Sequence, residues 1–172
     1  MFRKAEERDI DAIVQIYDDI LTIEETGPKG IGWIRGVYPT RDTAVNSLKL
    51  GELYVLEEDG TVAASARLNR KQEEAYRAVP WLYPAEDHEV MVMHTLTVSP
   101  SMAHRGIGKR FAACYEQMAR DAGCSVLRID TNRINSRARK MYASLGYREA
   151  GIIPTVFNGI DGVDLVCLEK KL

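Results

Sequence analysis

The stretch "VMVMHTLTVSPSMAHRGIGKRFAACYEQMARDAG" restricts the fold more than any other part of this chain. It begins as a nearly unbroken apolar run, the pattern of a central strand covered on both faces. It ends with Phe111, Tyr115, Met118 and Ala122 along one helical stripe that Gly123 stops. Gly106 and Gly108 stand where strand gives way to helix. A buried strand feeding directly into an amphipathic helix points to an α/β architecture.

The other segments extend that pattern. "FRKA" reads as a short first strand, and "RDIDAIVQIYDDIL" sets Ile13, Ile16, Tyr17 and Ile20 on one helical face, with Asp9 as cap. "TGPKGIGWIRGVYPT" reads as an ordered loop, followed by a helix from about Arg41 to Lys49. "ELYVLEEDGTVAASARLN" is a hairpin that turns at Asp59-Gly60. The polar connection "RKQEEAYRAVPWLYPAEDHE" then leads to the apolar strand, and loops of that length in compact domains often carry function. After the central helix comes a strand, "SVLRIDT". The helix "NSRARKMYASLG" turns Ala138, Met141, Tyr142 and Leu145 inward, with Asn135 or Ser136 as cap. A turn and a last strand close the chain. Hairpins mixed with helical crossovers predict an α/β sheet of mixed direction, in a single domain over residues 1–172.

Composition excludes several classes. Hydrophobic residues at 45% and charged residues at 28% suit one sizeable buried core. The net charge of -2 gives no field that would favour nucleic acid or an anionic membrane. No apolar run reaches the roughly 18 residues of a membrane span, and "MFRKAEERDID" is not a signal peptide. Cys114, Cys124 and Cys167 have no CxxC spacing and no ligand spacing to the histidines. The expectation is reduced thiols in a cytoplasmic protein, without a metal.

The glycine pair suits a ligand that must come close to the backbone, and phosphate is the usual one. A Walker A loop would need glycine at Ala103 and Ser or Thr at Arg110, and a dinucleotide fingerprint would need glycine at Phe111. Both fail. What remains is a cup of main-chain amides from about His104 to Lys109, aided by the helix dipole and by Arg105, Lys109 and Arg110. A bare turn that uses glycine for positive φ is the other reading of these residues.

Further on, "NSRARKMYASLGY" carries Asn135, Ala138, Tyr142, Gly146 and Tyr147 in the spacing N-x-x-A-x-x-x-Y-x-x-x-G-[FY]. Together with "LTVSPSMAHRGIGKRF" it strongly resembles the GNAT superfamily of acetyl-coenzyme A-dependent N-acetyltransferases. The resemblance covers the whole chain in element order and residues 94–148 in motif detail. It implies the GNAT (acyl-CoA N-acyltransferase) fold, a mixed, mostly antiparallel central sheet of about six to seven strands flanked by helices. It further implies that the backbone of Leu96 and Val98 meets the pantetheine arm of acetyl-CoA. The turn His104, Arg105, Gly106, Ile107, Gly108 and Lys109 would hold the pyrophosphate through its amides. Asn135 would touch the coenzyme arm, and Tyr142 would stand by the thioester sulfur as general acid. One position departs from the family pattern: Ala103 replaces the usual Gln or Arg, which implies a weaker pyrophosphate anchor.

Acetyl transfer from a thioester to an amine needs a base for the amine, a donor for the developing oxyanion and a proton for the leaving thiolate. Tyr142, with an ordinary pKa of about 10, suits the last task, although plain core packing beside Ala138 and Met141 also fits it. A backbone amide near Leu96, at a bulge, is the expected oxyanion donor. His94 stands two residues before Leu96, which on a regular strand puts both on one face. "HTLTV" resembles the histidine-bearing strand of arylalkylamine N-acetyltransferases, which implies a base acting through water; a satisfied core histidine is the alternative, and His88 and Glu89 are further candidates. Trp33, Tyr38, Trp81 and Tyr83 lie on the two loops that border the acceptor groove in such folds, as an aromatic wall or as lids.

The expected activity is N-acetylation of a primary amine of a small molecule or peptide, with acetyl-CoA as co-substrate and no nucleic-acid or membrane partner. Homodimers are common among proteins of this kind, and the last strand offers the contact. A non-catalytic acyl-CoA sensor or regulatory module is the alternative, favoured by Ala103 and by the lack of an obvious carboxylate base.

Overall fold

The computed structural model describes every residue from Met1 to Leu172. Seven strands form one sheet in the order β1-β2-β3-β4-β5-β7-β6. They are β1 (Phe2–Lys4), β2 (Leu53–Glu58), β3 (Thr61–Asn69), β4 (Val90–Val98), β5 (Val126–Asn132), β6 (Arg148–Phe157) and β7 (Ile160–Lys171). Every neighbouring pair is antiparallel except β4 and β5. That parallel pair follows from the connection, because a helix carries the chain back between the two strands.

The helices are α1 (Ile10–Thr26), α2 (Arg41–Lys49), α3 (Ile107–Asp121) and α4 (Ser136–Ser144). Alternation along β2 shows how they divide between the faces. Leu53 and Val55 pack under α1 and α2 with Ile13, Ile16 and Tyr17. Leu56 faces the other way, into the core that holds Phe111 and Tyr115 of α3 and Tyr142 of α4. Residues 70–89 cover the rest of the first face, where Tyr76 and Val79 pack on Val90, Val92 and Leu165. The central strand is thus buried on both sides, as its apolar run demands.

Two details depart from the sequence pattern. Asp9 sits at the start of α1 but makes no capping hydrogen bond. Its carboxylate instead takes both terminal nitrogens of Arg3, at 2.7 and 2.9 Å, and so ties β1 to the helix. Ala122 is exposed, and the buried stripe of α3 ends on Ala119, one turn from Tyr115. The loop before α2 is ordered by Glu24, whose buried carboxylate accepts the amides of Gly30, Ile31 and Gly32 at 2.7–3.1 Å. This carboxylate fixes the path of the segment that delivers Tyr38 to the sheet.

Candidate active site

The parallel ladder of β4 and β5 runs from Val90–Val126 to Met93–Ile129 and stops. Beyond it, β4 stays paired only with β3, and Asp130 to Asn132 stay paired only with β7. Two strand edges that diverge without bonding leave a wedge lined by free N–H and C=O groups. His94 and Asp130 are the first residues past the last pair, one on each lip of the wedge. Tyr115 pins its base, donating to the carbonyl of Met91 at 2.6 Å.

A bulge sits beside the wedge. Arg67 pairs with His94 and Ser65 with Thr97, so Thr95 and Leu96 together oppose Ala66. Thr95 takes φ of +54°, a left-handed conformation that costs a β-branched residue about 1–3 kcal/mol. Its hydroxyl is held by a hydrogen bond with the Tyr38 hydroxyl. The bulge corrects one expectation. Leu96 and Val98 pack with the core of Met91 and Met93, while His94 continues the opposite face, that of Val90 and Val92. His94 and Leu96 therefore do not share a face, because the extra residue shifts the alternation by one.

On the His94 face lies a cavity of about 200 Å³. His94, Thr95, Arg67, Glu73, Asp130 and Tyr38 contribute its polar wall, and Leu50 and Phe157 stand among its apolar lining. The protonation of His94 follows from its neighbours. The Asn69 amide is oriented by two bonds, accepting from the Lys71 amide at 3.0 Å and donating to Glu52 at 2.8 Å. His94 Nε2, 3.0 Å from the same Asn69 oxygen, must then donate to it. Nδ1 is left with its lone pair, 3.4 Å from a Glu73 carboxylate oxygen. Burial, then the charge of Arg67, pushes the imidazole pKa down to about 4, so the ring is neutral at physiological pH. Asp130 moves the other way. Burial raises its pKa to about 7 against a 2.7 Å hydrogen bond from the Tyr76 hydroxyl.

The glycine pair serves two different needs. Gly106, at φ +72°, has nothing within 4 Å of where a β-carbon would stand, so it provides a left-handed turn under open space. At Gly108 a β-carbon would lie 2.9 Å from the Met141 sulfur, so this glycine lets α3 approach α4 and Val98. None of the amides from His104 to Lys109 donates a backbone hydrogen bond. Helix N-termini leave such donors unsatisfied, and here the preceding loop adds more. His104 and Arg105 are exposed, Lys109 too, and Arg110 pairs with Glu58. Gly106→Val should weaken acetyl-CoA binding at least about tenfold by calorimetry, since a β-branched residue at this φ distorts the amide cup.

The remaining predicted residues divide. Tyr142 is buried at 4% exposure and lies edge-on to Tyr147 in the α3–α4 core. Burial, then the charge of Asp130, pushes its phenol pKa well up, so the hydroxyl keeps its proton. Asn135 caps α4, accepting the Ala138 amide at 3.1 Å. Of the four aromatics expected at the acceptor groove, only Tyr38 lines the cavity; Trp33 meets it edge-on with ring centroids 5.9 Å apart. Trp81 lies over Arg128 at 4.1 Å and donates to the Tyr76 carbonyl, while Tyr83 binds Glu169 and Arg128 through its backbone. These two build the 70–89 segment rather than the cavity wall. That segment supplies Glu73 instead, and sequence pattern alone marks neither Glu73 nor Arg67.

A mostly antiparallel sheet split at its one parallel pair, with unpaired amides at the start of the following helix, is the scaffold of an acyl-CoA-dependent transferase. The sequence matches the acetyltransferase (GNAT) family over residues 13–147, and the chain belongs to that family. It is similar in structure to a GNAT-family acetyltransferase of Streptococcus agalactiae 2603, with TM-score 0.80 and 25% identity over 100% of this chain and 95% of that one. A ribosomal-protein-alanine N-acetyltransferase of Brucella melitensis superposes with TM-score 0.72 and 20% identity, over 100% and 99% of the two chains. The acetyltransferase yncA of Salmonella typhimurium, solved with its cofactor acetyl-CoA, gives 0.69 and 20% over 100% and 93%. No curated protein matches the sequence. No helix is long and apolar enough to cross a membrane.

Proposed function

We propose that this acetyltransferase acetylates a primary amine by direct transfer, with the amine in the His94–Asp130 cavity and acetyl-CoA on the opposite side of the wedge. The observation that carries the reading is the split between β4 and β5, whose lips bear one basic group each and whose far side leads to Tyr142. The coenzyme supplies the acetyl group as a thioester. The unbonded edge of β4 at Leu96 and Val98 suits an amide-bearing arm, and the amides of His104 to Lys109 suit its diphosphate.

The protein's own groups then divide the work. His94 Nδ1 and the Glu73 carboxylate are acceptors 3.4 Å apart with no hydrogen between them, which makes a seat for an ammonium or amine donor. Asp130, with its pKa lifted to about 7, receives the amine proton, because a base is most effective near the working pH. His94 at about 4 is the weaker base and orients the nitrogen. The Thr95–Leu96 bulge turns a main-chain amide toward the developing oxyanion. Tyr142 gives its hydroxyl proton to the departing sulfur and regains one from the second proton that the acylated nitrogen sheds. As the nitrogen bonds to the acetyl carbon, the carbon–sulfur bond breaks and the sulfur leaves with the electron pair, giving an N-acetylated amine and a free thiol.

The test is thiol release from acetyl-CoA across a panel of amines, beside calorimetric titration of acetyl-CoA alone. Release that depends on an amine supports the reading. Tight binding with no release on any acceptor would instead describe a sensor.

A further inference from the structure

From Arg67 and its surroundings we infer that the acceptor is a free α-amino acid, its carboxylate held by the terminal nitrogens of Arg67 and its amine seated between His94 and Glu73. This deepens the reading above and rests on it.

Arg67 and His94 are direct cross-strand partners, so their side chains stand next to each other on the cavity face. Only Nε of Arg67 is engaged, at 2.6 Å from Glu52, and Glu52 is itself held by Asn69. The guanidinium is thereby aimed while both terminal nitrogens remain without a hydrogen-bond partner. A half-buried fork of this kind matches the two oxygens of a carboxylate. Beside it lie the Glu73 carboxylate and the Nδ1 lone pair, which call for a cation. The cavity thus presents one anion seat and one cation seat on adjacent side chains. An α-amino acid carries its two charges with the same closeness.

Size and lining point the same way. A cavity of about 200 Å³ is smaller than the roughly 300–1,000 Å³ of drug-sized sites and suits a single small molecule. Leu50, Leu53 and Phe157 offer apolar surface for the acceptor's side chain. A peptide N-terminus would put a neutral amide against Arg67 and would need an exit for the following residue. A simple amine would leave the fork with nothing to bind, and unpaired polar groups in a site select strongly against the analogue that lacks the partner.

The experiment compares three acceptors of identical side chain by thiol release: the L-amino acid, its carboxamide and the decarboxylated amine. The amino acid should exceed both others at least about 10²-fold in kcat/KM for the matching side chain. In Arg67→Gln that ratio should fall at least about tenfold. Equal use of the three by the wild-type protein would overturn the inference, as would an Arg67→Gln loss that strikes all three alike. The wild-type comparison stands even where the variant folds poorly. If amines or peptides turn over and amino acids do not, this inference alone fails; if no amine releases thiol, the N-acetylation reading fails with it.

Discussion

Tyr142→Phe should lower turnover about 10²–10³-fold at saturating acetyl-CoA while acetyl-CoA affinity changes less than about threefold. The tyrosine is buried at 4% exposure, and its hydroxyl takes part in none of the protein's hydrogen bonds. A buried phenol that bonds nothing contributes packing through its ring, and phenylalanine keeps the ring. The edge-on contact with Tyr147, at 5.6 Å between centroids, survives the change. Removing the hydroxyl therefore should leave the thermal unfolding midpoint where it is, because no protein hydrogen bond is lost and the hydroxyl is not among the buried polar atoms without a partner. Rate and stability thus separate the two roles of this residue. A structural tyrosine would leave thiol release untouched, and that result would take Tyr142 out of the mechanism. A general acid would lose the proton that the departing sulfur needs, with the coenzyme still bound. Burial and the charge of Asp130 hold the phenol protonated far above neutral pH, so the proton is present throughout the working range.

Much of this scaffold is legible along the chain, because its elements follow local rules. The buried strand, the hairpin at Asp59-Gly60 and the helix behind the glycine pair each declare themselves by periodicity and turn residues. The glycine turn before α3 is legible for the same reason: Gly106 needs positive φ and Gly108 needs closeness to Met141, and both are properties of the residue itself. The cavity between His94 and Asp130 is not local. It exists because the β4–β5 ladder ends at Met93–Ile129, a register between strands far apart in sequence. The bulge at Thr95 then turns His94 away from Leu96, against the alternation that a regular strand would give. Arg67 looks like an outward-facing polar residue of a hairpin strand, and Glu73 like one charge in a solvated run. Asp130 gives a weak hint, since ligands of α/β sheets gather at the carboxyl ends of parallel strands. Trp33, Trp81 and Tyr83 mislead for the converse reason: sequence shows that they are large and apolar but not which way they point.

His94→Gln and Asp130→Asn should tilt the stability of the protein in opposite directions between about pH 4 and 7. The imidazole pKa is lowered by burial and by Arg67, from its ordinary 6.5 to about 4. Between those values the unfolded chain binds the proton and the folded one does not, so this group stabilises the fold above pH 6.5 and the benefit is lost as pH falls to 4. The Asp130 carboxyl is raised by burial from 3.8 to about 7. Between those values the folded chain keeps a proton that the unfolded one has lost, so stability declines as pH rises toward 7. The shifts correspond to about 3 kcal/mol for His94 and about 4 kcal/mol for Asp130, so in the wild-type protein the two partly offset. His94→Gln leaves Asp130 alone, and stability should then fall on going from pH 4 to 7. Asp130→Asn leaves His94 alone, and stability should fall on going from pH 6.5 to 4. Urea unfolding across this range reads both slopes, and slopes of the same sign would refute the placement of these groups on the two lips of one wedge. With Asp130 as the proposed base, the same carboxylate should set the acid limb of catalysis. In the wild-type protein kcat/KM should reach half its maximum near pH 7, and Asp130→Asn should lose that limb with most of the rate.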